Sequence, residues 1–273
     1  MRGFILFLIL FCFSMSLWGQ TDTEFWFAAP NISEDHADEP IFLNIQTGTD
    51  PADVEIFIED LNTPVITENI PANTDRSFDL TTYKDELENE YILNGEPGEI
   101  QNHVVRIVSD TEISAYYEVF GYNGSQYVNG DLWVLKGRKA LGTEFFVPGQ
   151  KRYNTNQGDT NESFIVLATE DQTEVEITVG QYVETQVNGS TGGNAVNGYA
   201  SGETFTVTLD QGETLVVFDT EESWNSASST LAGSQIQSDR PIAVTYTDDS
   251  VVNTGDGWTT DVIADQLIPS NVL

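Results

Sequence analysis

Oxygen-bearing side chains crowd two stretches of this sequence, and their spacing suits one kind of chemistry. Asp248, Asp249, Asp256 and Asp261 fall close together, with Asn253 and Thr254 among them and Gly255 and Gly257 between. Asn156, Asp159, Asn161 and Glu162 make a second such group ahead of Phe164. Calcium takes six to eight oxygen ligands at about 2.3–2.6 Å, and glycines let a loop wrap around it. Calcium is therefore the one cofactor with an argument, and Asp248, Asp249, Asp256 and Asp261 are its candidate ligands. Neither stretch has the spacing of an EF-hand loop, and solvated turns share the same composition. Nothing else in the chain requires a cofactor.

The other chemistries lack their parts. A serine hydrolase needs a histidine base, and the chain has two histidines, His36 in an acidic stretch and His103 just before a strand-like run. There is no Gly-x-Ser-x-Gly elbow, no glycine-rich phosphate loop with its lysine and no His-x-x-x-His pair. With 44 acidic residues, carboxylate pairs of any spacing can be found, so they carry no signal for glycoside hydrolysis. The sequence reads as non-enzymatic.

Ten basic residues stand against those 44 acids, a formal net charge of −34. Such a surface repels phosphate backbones and anionic lipid heads, which argues against nucleic acid and against direct membrane insertion. It favours divalent cations and basic protein patches. It also simply keeps an extracellular protein soluble.

Residues 1–19 have the layout of a secretory signal peptide. Arg2 precedes an apolar run from Phe4 to Phe13, and small residues near Gly19 offer a cleavage site. Cys12, the single cysteine, lies in that leader, so the mature chain has no thiol for a disulfide or a metal. Secretion without cysteine points to a bacterial surface or extracellular protein, and the sequons at Asn31, Asn123, Asn161 and Asn188 then read as loop composition.

Positioning falls to an internally repeated scaffold. Thr23-Glu24-Phe25 returns as Thr143-Glu144-Phe145, Val54-Glu55-Ile56 as Val175-Glu176-Ile177, and Ser109-Asp110 with Ile113 and Tyr117 as Ser238-Asp239 with Ile242 and Tyr246. Three blocks in one order indicate a duplicated unit. Leu135 and Leu141 recur as Leu267 and Leu273, so residues 263–273 read as the opening segment of a truncated third copy. The expected organisation is a leader over 1–19, a first repeat over 20–130, a second over 131–262 and that opening segment.

Within each copy, short alternating runs separated by turns predict strands. Thr204–Leu209 puts apolar residues on every second position with hydroxyls between, as a sheet with one buried face requires. Val104–Ser109 and Ile113–Phe120 read as separate strands, as do Gln235–Ser238 and Ile242–Thr247, with the Ser-Asp pairs at strand ends. Thr81 to Tyr91 is the one expected helix. Phe25, Phe27, Phe145 and Phe205 are placed in the core, while Trp26, Tyr116 and Tyr246 are left able to face outward. The fold class is all-β, as two tandem β-sandwich modules from an internal duplication.

Several runs of the second copy carry a resemblance in their order: Gly142-Thr143-Glu144-Phe145-Phe146-Val147, Phe164 to Ile177, Gly212-Glu213-Thr214, Leu231 to Val244, and Asp265-Gln266-Leu267-Ile268-Pro269. The chain resembles the IgGFc-binding protein N-terminal domain family, closely in the second copy and more distantly in the first. The resemblance implies a secreted, β-rich adhesion or ligand-binding module, with many members in Bacteroidetes and related bacteria. It implies no catalytic residues. The first copy reads Ser109-Asp110-Thr111-Glu112 where the second has Ser238-Asp239-Arg240-Pro241, and it lacks the Leu231-Ala232-Gly233-Ser234 lead-in.

The expected function is adhesion or ligand binding at a bacterial cell surface, with an extracellular protein or glycan as partner. The alternatives are spacer repeats that project a C-terminal domain, and a glycan-binding or carbohydrate-active module.

Overall fold

The computed structural model describes residues 20–30, 32, 39–89, 100–122, 127–149, 161–180, 201–220, 231–252 and 260–272. The leader, His36 and the sequons at Asn31, Asn123 and Asn188 lie outside them. Among the described residues no helix is long and apolar enough to cross a membrane.

The first sheet is built from β1 (Asp22–Phe27), β3 (Ile41–Thr47), β4 (Ala52–Ile58), β5 (Ile66–Ile70), β6 (Asp75–Asp79), β9 (Val105–Tyr122) and β10 (Tyr127–Leu135). Three further short strands accompany it, β2 (Ala29–Pro30), β7 (Glu88–Asn89) and β8 (Ile100–Gln101). The second sheet holds β11 (Gly142–Phe146), β12 (Asn161–Ala168), β13 (Thr173–Thr178), β14 (Thr204–Leu209), β15 (Thr214–Thr220), β16 (Gln235–Val252) and β17 (Thr260–Gln266), with β8 added at its edge. The protein is all-β and sandwich-like.

One long strand organises each sheet. The N-terminal half of β9 pairs with β1 and β4, with Phe25 opposite Ile107 and Val54 opposite Ser109. Its C-terminal half pairs with β3 and β10, with Leu43 and Trp133 both opposite Tyr117. The chain thus passes from one layer of the sandwich to the other without leaving the strand. Its inward side chains keep a period of two from Val105 and Ile107 to Ile113, Ala115, Tyr117 and Val119.

The expected pair of strands on either side of Ser109-Asp110 is therefore one bent strand, and the Ser-Asp motif marks the bend rather than a strand end. The reason is local: the Asp110 carboxylate accepts the Asp53 N–H at 2.8 Å, and Asp239 accepts the Glu174 N–H at 2.8 Å. Pairing to one layer stops at Ser109 and at Ser238, and pairing to the other starts at Ile113 and at Ile242. Pro241 falls in that crossing, where its missing N–H breaks no ladder bond.

The two sheets share register position by position. Trp26 faces Arg106 as Phe146 faces Gln235, Asn44 faces Tyr116 as Ile165 faces Thr245, and Asn44 faces Ser77 as Ile165 faces Val216. A one-residue slip would turn every inward side chain outward, so matching register means matching cores. Phe25, Phe27 and Phe145 are fully buried and Phe205 nearly so. Phe27, Tyr117 and Trp133 stack in the first core with centroids 4.9 and 5.2 Å apart.

Three expectations are corrected. The opening segment expected over 263–273 is not unpartnered: its residues 263–266 belong to β17, which pairs along β16 as β10 pairs along β9, with Gln266 opposite Thr245 as Val134 is opposite Tyr116. The strand closes the second sheet. The helix expected over 81–91 amounts to a 3₁₀ turn at Thr81–Tyr83 and one α-turn, α1 (Lys84–Leu87). It stops because Glu88 and Asn89 pair in parallel with Ala29 and Pro30. Tyr246 is buried in the second core, Trp26 faces away from the first core yet is buried, and Tyr116 is partly exposed.

The first unit is closed by a clamp between its entry and its exit. A 3₁₀ turn at Gly137–Ala140 follows β10 and lies against β1, where Asp22 accepts the Arg138 N–H at 2.9 Å and Nε at 2.8 Å. Gly137 has φ of 57°, and a Cβ there would sit 2.4 Å from that of Asp22, so only glycine fits. Burial by itself raises the Asp22 carboxyl, but hydrogen bonds from Arg138 and Thr23 bring it below the ordinary carboxylate range. A group depressed in the folded state contributes fully above its unfolded value, about 3.9, and the contribution is lost as pH falls through the folded value. The stability gap between the parent and Asp22→Asn is therefore expected to narrow in acid titration below about pH 4. A gap independent of pH would show that the clamp is not ionic.

A candidate binding cleft at the unit junction

The outer face of the first unit near its entry strand is apolar, and the second unit lies on it. Trp26, Ala28 and Val104 pack with Ile165, Leu167, Val216, Phe218 and Ala243. Trp26 is 4 % exposed, and Arg106 stacks over its ring at 5.0 Å while donating to Glu24 at 2.7 and 2.9 Å.

Two buried amides cross the same junction. The Gln266 amide donates to Trp26 O at 2.6 Å and accepts the Lys136 N–H at 2.8 Å. The Asn89 amide donates to Ala29 O at 2.9 Å and to His103 O at 3.0 Å, while its oxygen accepts the Thr214 hydroxyl. The Lys136 ammonium donates to Asp265 and to Gln266 O. Buried polar groups satisfied in this way fix one relative placement of the units.

Beside this seam an open cleft of about 690 Å³ is lined by Glu59, Asp60, Asn102 and Arg106 of the first unit and Asp171 and Gln211 of the second. The loop after β4 is held tightly: Glu59 has φ of 56°, its N–H donates to Val104 O at 3.0 Å, and Asn102 reaches its carbonyl at 3.4 Å. Hydrogen bonds from the Asn62 backbone, Thr63 and the Asn62 amide hold the Asp60 carboxyl below its usual range. From the second unit, the Gln211 amide donates to Thr169 O at 2.8 Å, and Arg240 donates to Asp171 O. His103 lies 3.8 Å from Glu59. The arginine is already neutralised by Glu24, so the lining as a whole offers carboxylates and amides. That chemistry receives cationic and hydrogen-bond-donating groups.

Of the expected calcium ligands, Asp248 is the one whose side chain is described. Asp248 is fully buried in β16 opposite Glu162, which is also fully buried. The Glu162 carboxylate accepts the Tyr246 hydroxyl at 3.0 Å and the Leu231 N–H at 3.0 Å. The side chains of Asp249 and Asp261, the whole of Asp256, and Asn156 with Asp159 lie outside the described residues. Among the described residues no three acids, histidines or cysteines cluster as a metal site. The sequence carries a signal of this buried carboxylate pair. In the alternation of β12, Glu162 stands on the inward parity, where the first unit has Ile41, and Asp248 stands where it has Val119. The cleft had no sequence signal, because its residues come from separate segments of both units.

The model of the family described as IgGFc binding protein matches residues 131–273, a little over half of the chain. The chain belongs to the IgGFc binding protein family. Membership makes it an extracellular binding module. No curated protein matches the chain. Among solved structures, a Bifidobacterium dentium β-glucuronidase complexed with coumarin-3-O-glucuronide is 10 % identical with a TM-score of 0.20. A glycosyl hydrolase family 2 member from Bacteroides cellulosilyticus DSM 14838 is 13 % identical with a TM-score of 0.19. Each alignment covers 90 % of this chain, which spans 39 % and 28 % of those chains. Likeness at that level carries no argument about fold or activity.

Proposed function

We propose that the chain is a secreted, non-enzymatic binding module of a bacterial surface protein, built by internal duplication, and that its partner is an extracellular protein. The supporting observation is the junction cleft, where carboxylates from both units face one opening on a surface of net charge −34. An acidic recess of this kind suits a lysine or arginine presented by a folded partner. The family name points to the Fc part of immunoglobulin G as one partner to try. Calcium at Asp248, Asp249, Asp256 and Asp261 belongs to the same reading, as a loop-ordering ion.

The test is a binding array of the full chain against extracellular proteins, including immunoglobulin Fc, and against glycans, run in calcium and in chelator. A protein partner whose affinity falls about tenfold with Asp60→Asn and Asp171→Asn, and falls with salt, is the expected result. Binding that ignores both substitutions removes the cleft. Binding to glycans alone replaces the protein reading, and binding unchanged by chelator removes the ion. A second reading, spacer units that hold a neighbouring domain in place, is favoured by the buried amides of the junction.

A further inference from the structure

The shared register makes every position of the first unit a reference for the second. Trp26 and Phe146 occupy one position, opposite Arg106 and Gln235. In the first unit that position is covered by the second unit. In the second unit Phe146 is 58 % exposed, the largest exposure among the described large apolar residues. Single exposed aromatics are common and need no explanation of their own. What decides here is the match between a covered position and an uncovered one.

The covering face obeys the same logic in reverse. Ile165, Leu167, Val216 and Ala243 press on the first unit, and the equivalent positions there are Asn44, Gln46, Ser77 and Ser114. That face is apolar in the unit that is seated and polar in the unit that is not. The linkage repeats as well. A 3₁₀ turn at Ser270–Val272 lies against β11 as the turn at Gly137–Ala140 lies against β1, with Ser270 donating to Glu144 O at 3.1 Å and Asn271 to Thr143 at 2.7 Å.

We propose that the outer face of β11 around Phe146 is a seat for a further sandwich unit of this same design, following the turn at Ser270–Val272 as the second unit follows the turn at Gly137–Ala140. Its occupant is an apolar sheet face with aliphatic residues at the positions of Ile165, Leu167 and Val216. Neither the cleft nor its ligand takes part in this seat.

The experiment continues the full chain after Leu273 with a second copy of its own residues 142–273, which keeps the register because Leu273 stands where Leu141 does. Phe146→Cys in a Cys12→Ser background supplies the chain's one thiol, and its labelling rate is compared in the two-unit and three-unit chains. Labelling severalfold slower in the three-unit chain is expected, with the rate restored by Ile165→Asp and Leu167→Asp in the added copy. In parallel, Phe146→Asp is expected to leave the melting temperature of the two-unit chain unchanged and to lower that of the three-unit chain. Equal labelling with the added unit folded, seen as protection of its strands in hydrogen exchange, overturns the proposal. So does an added unit that fails to fold, since no seat on β11 has then received it.

Discussion

Trp26→Ala is expected to destabilise the chain by about 3–5 kcal/mol, while Phe146→Ala, at the equivalent position of the second unit, stays within about 0.5 kcal/mol of the parent. The two side chains sit at one place in two matching sheets, so local strand propensity and pairing cancel in the comparison. The difference that remains is the second unit. Trp26 is buried against Val216, Phe218 and their neighbours, under Arg106, with its indole N–H donating to Glu24 at 3.1 Å. Truncation leaves a cavity between two folded bodies and strips Arg106 of its stacking partner. Denaturant melts of both variants measure it. Equal losses at the two positions would mean that the units meet without stabilising one another.

A comparable loss is expected at Gln266. Gln266→Leu keeps the volume but leaves the Lys136 N–H and the Trp26 carbonyl unpaired in a closed junction, at about 1–3 kcal/mol for each group. Gln266→Glu separates the two bonds, because an ionised carboxylate still accepts from Lys136 but has no proton for Trp26 O. Burial and the facing carbonyl raise that carboxyl's pKa, against the pull of the Lys136 ammonium bonded to the same residue's carbonyl oxygen. Its penalty, measured against the parent at each pH, therefore shrinks as pH falls and the protonated group donates again. A penalty that does not change with pH would mean that the Trp26 carbonyl finds another donor.

Legibility differed by element, and the reason is the range of the forces involved. Thr204–Leu209 was readable to the residue, because alternation within one strand is a local consequence of a half-buried face. The equivalence of Val54 with Val175 and of Ser109 with Ser238 was readable, and the register places these pairs together in both sheets. Leu135 and Leu267 correspond, yet residues 263–273 read as an opening edge where the structure has a closing one. Alternation looks the same in either case, and only pairing with β16, distant in sequence, decides between them. The Ser-Asp motif was seen, but not that it bends a strand instead of ending one. Nor could Trp26 be told from Phe146, since both are aromatic on an outward parity, and burial there depends on a second body. Asp248 stands inward in β16, and composition by itself does not separate an inward acid from loop acids.

The clamp between Asp22 and Arg138 also decides how the chain carries tension. A pull along the backbone enters the first unit at Asp22 and leaves it at Arg138, and their side chains are 2.6 Å apart. The sandwich between those residues hangs beside the line of load, and β3 to β6 are not stretched while the clamp holds. Tension along the chain would therefore pass through the clamp and leave the sandwich beside it unloaded.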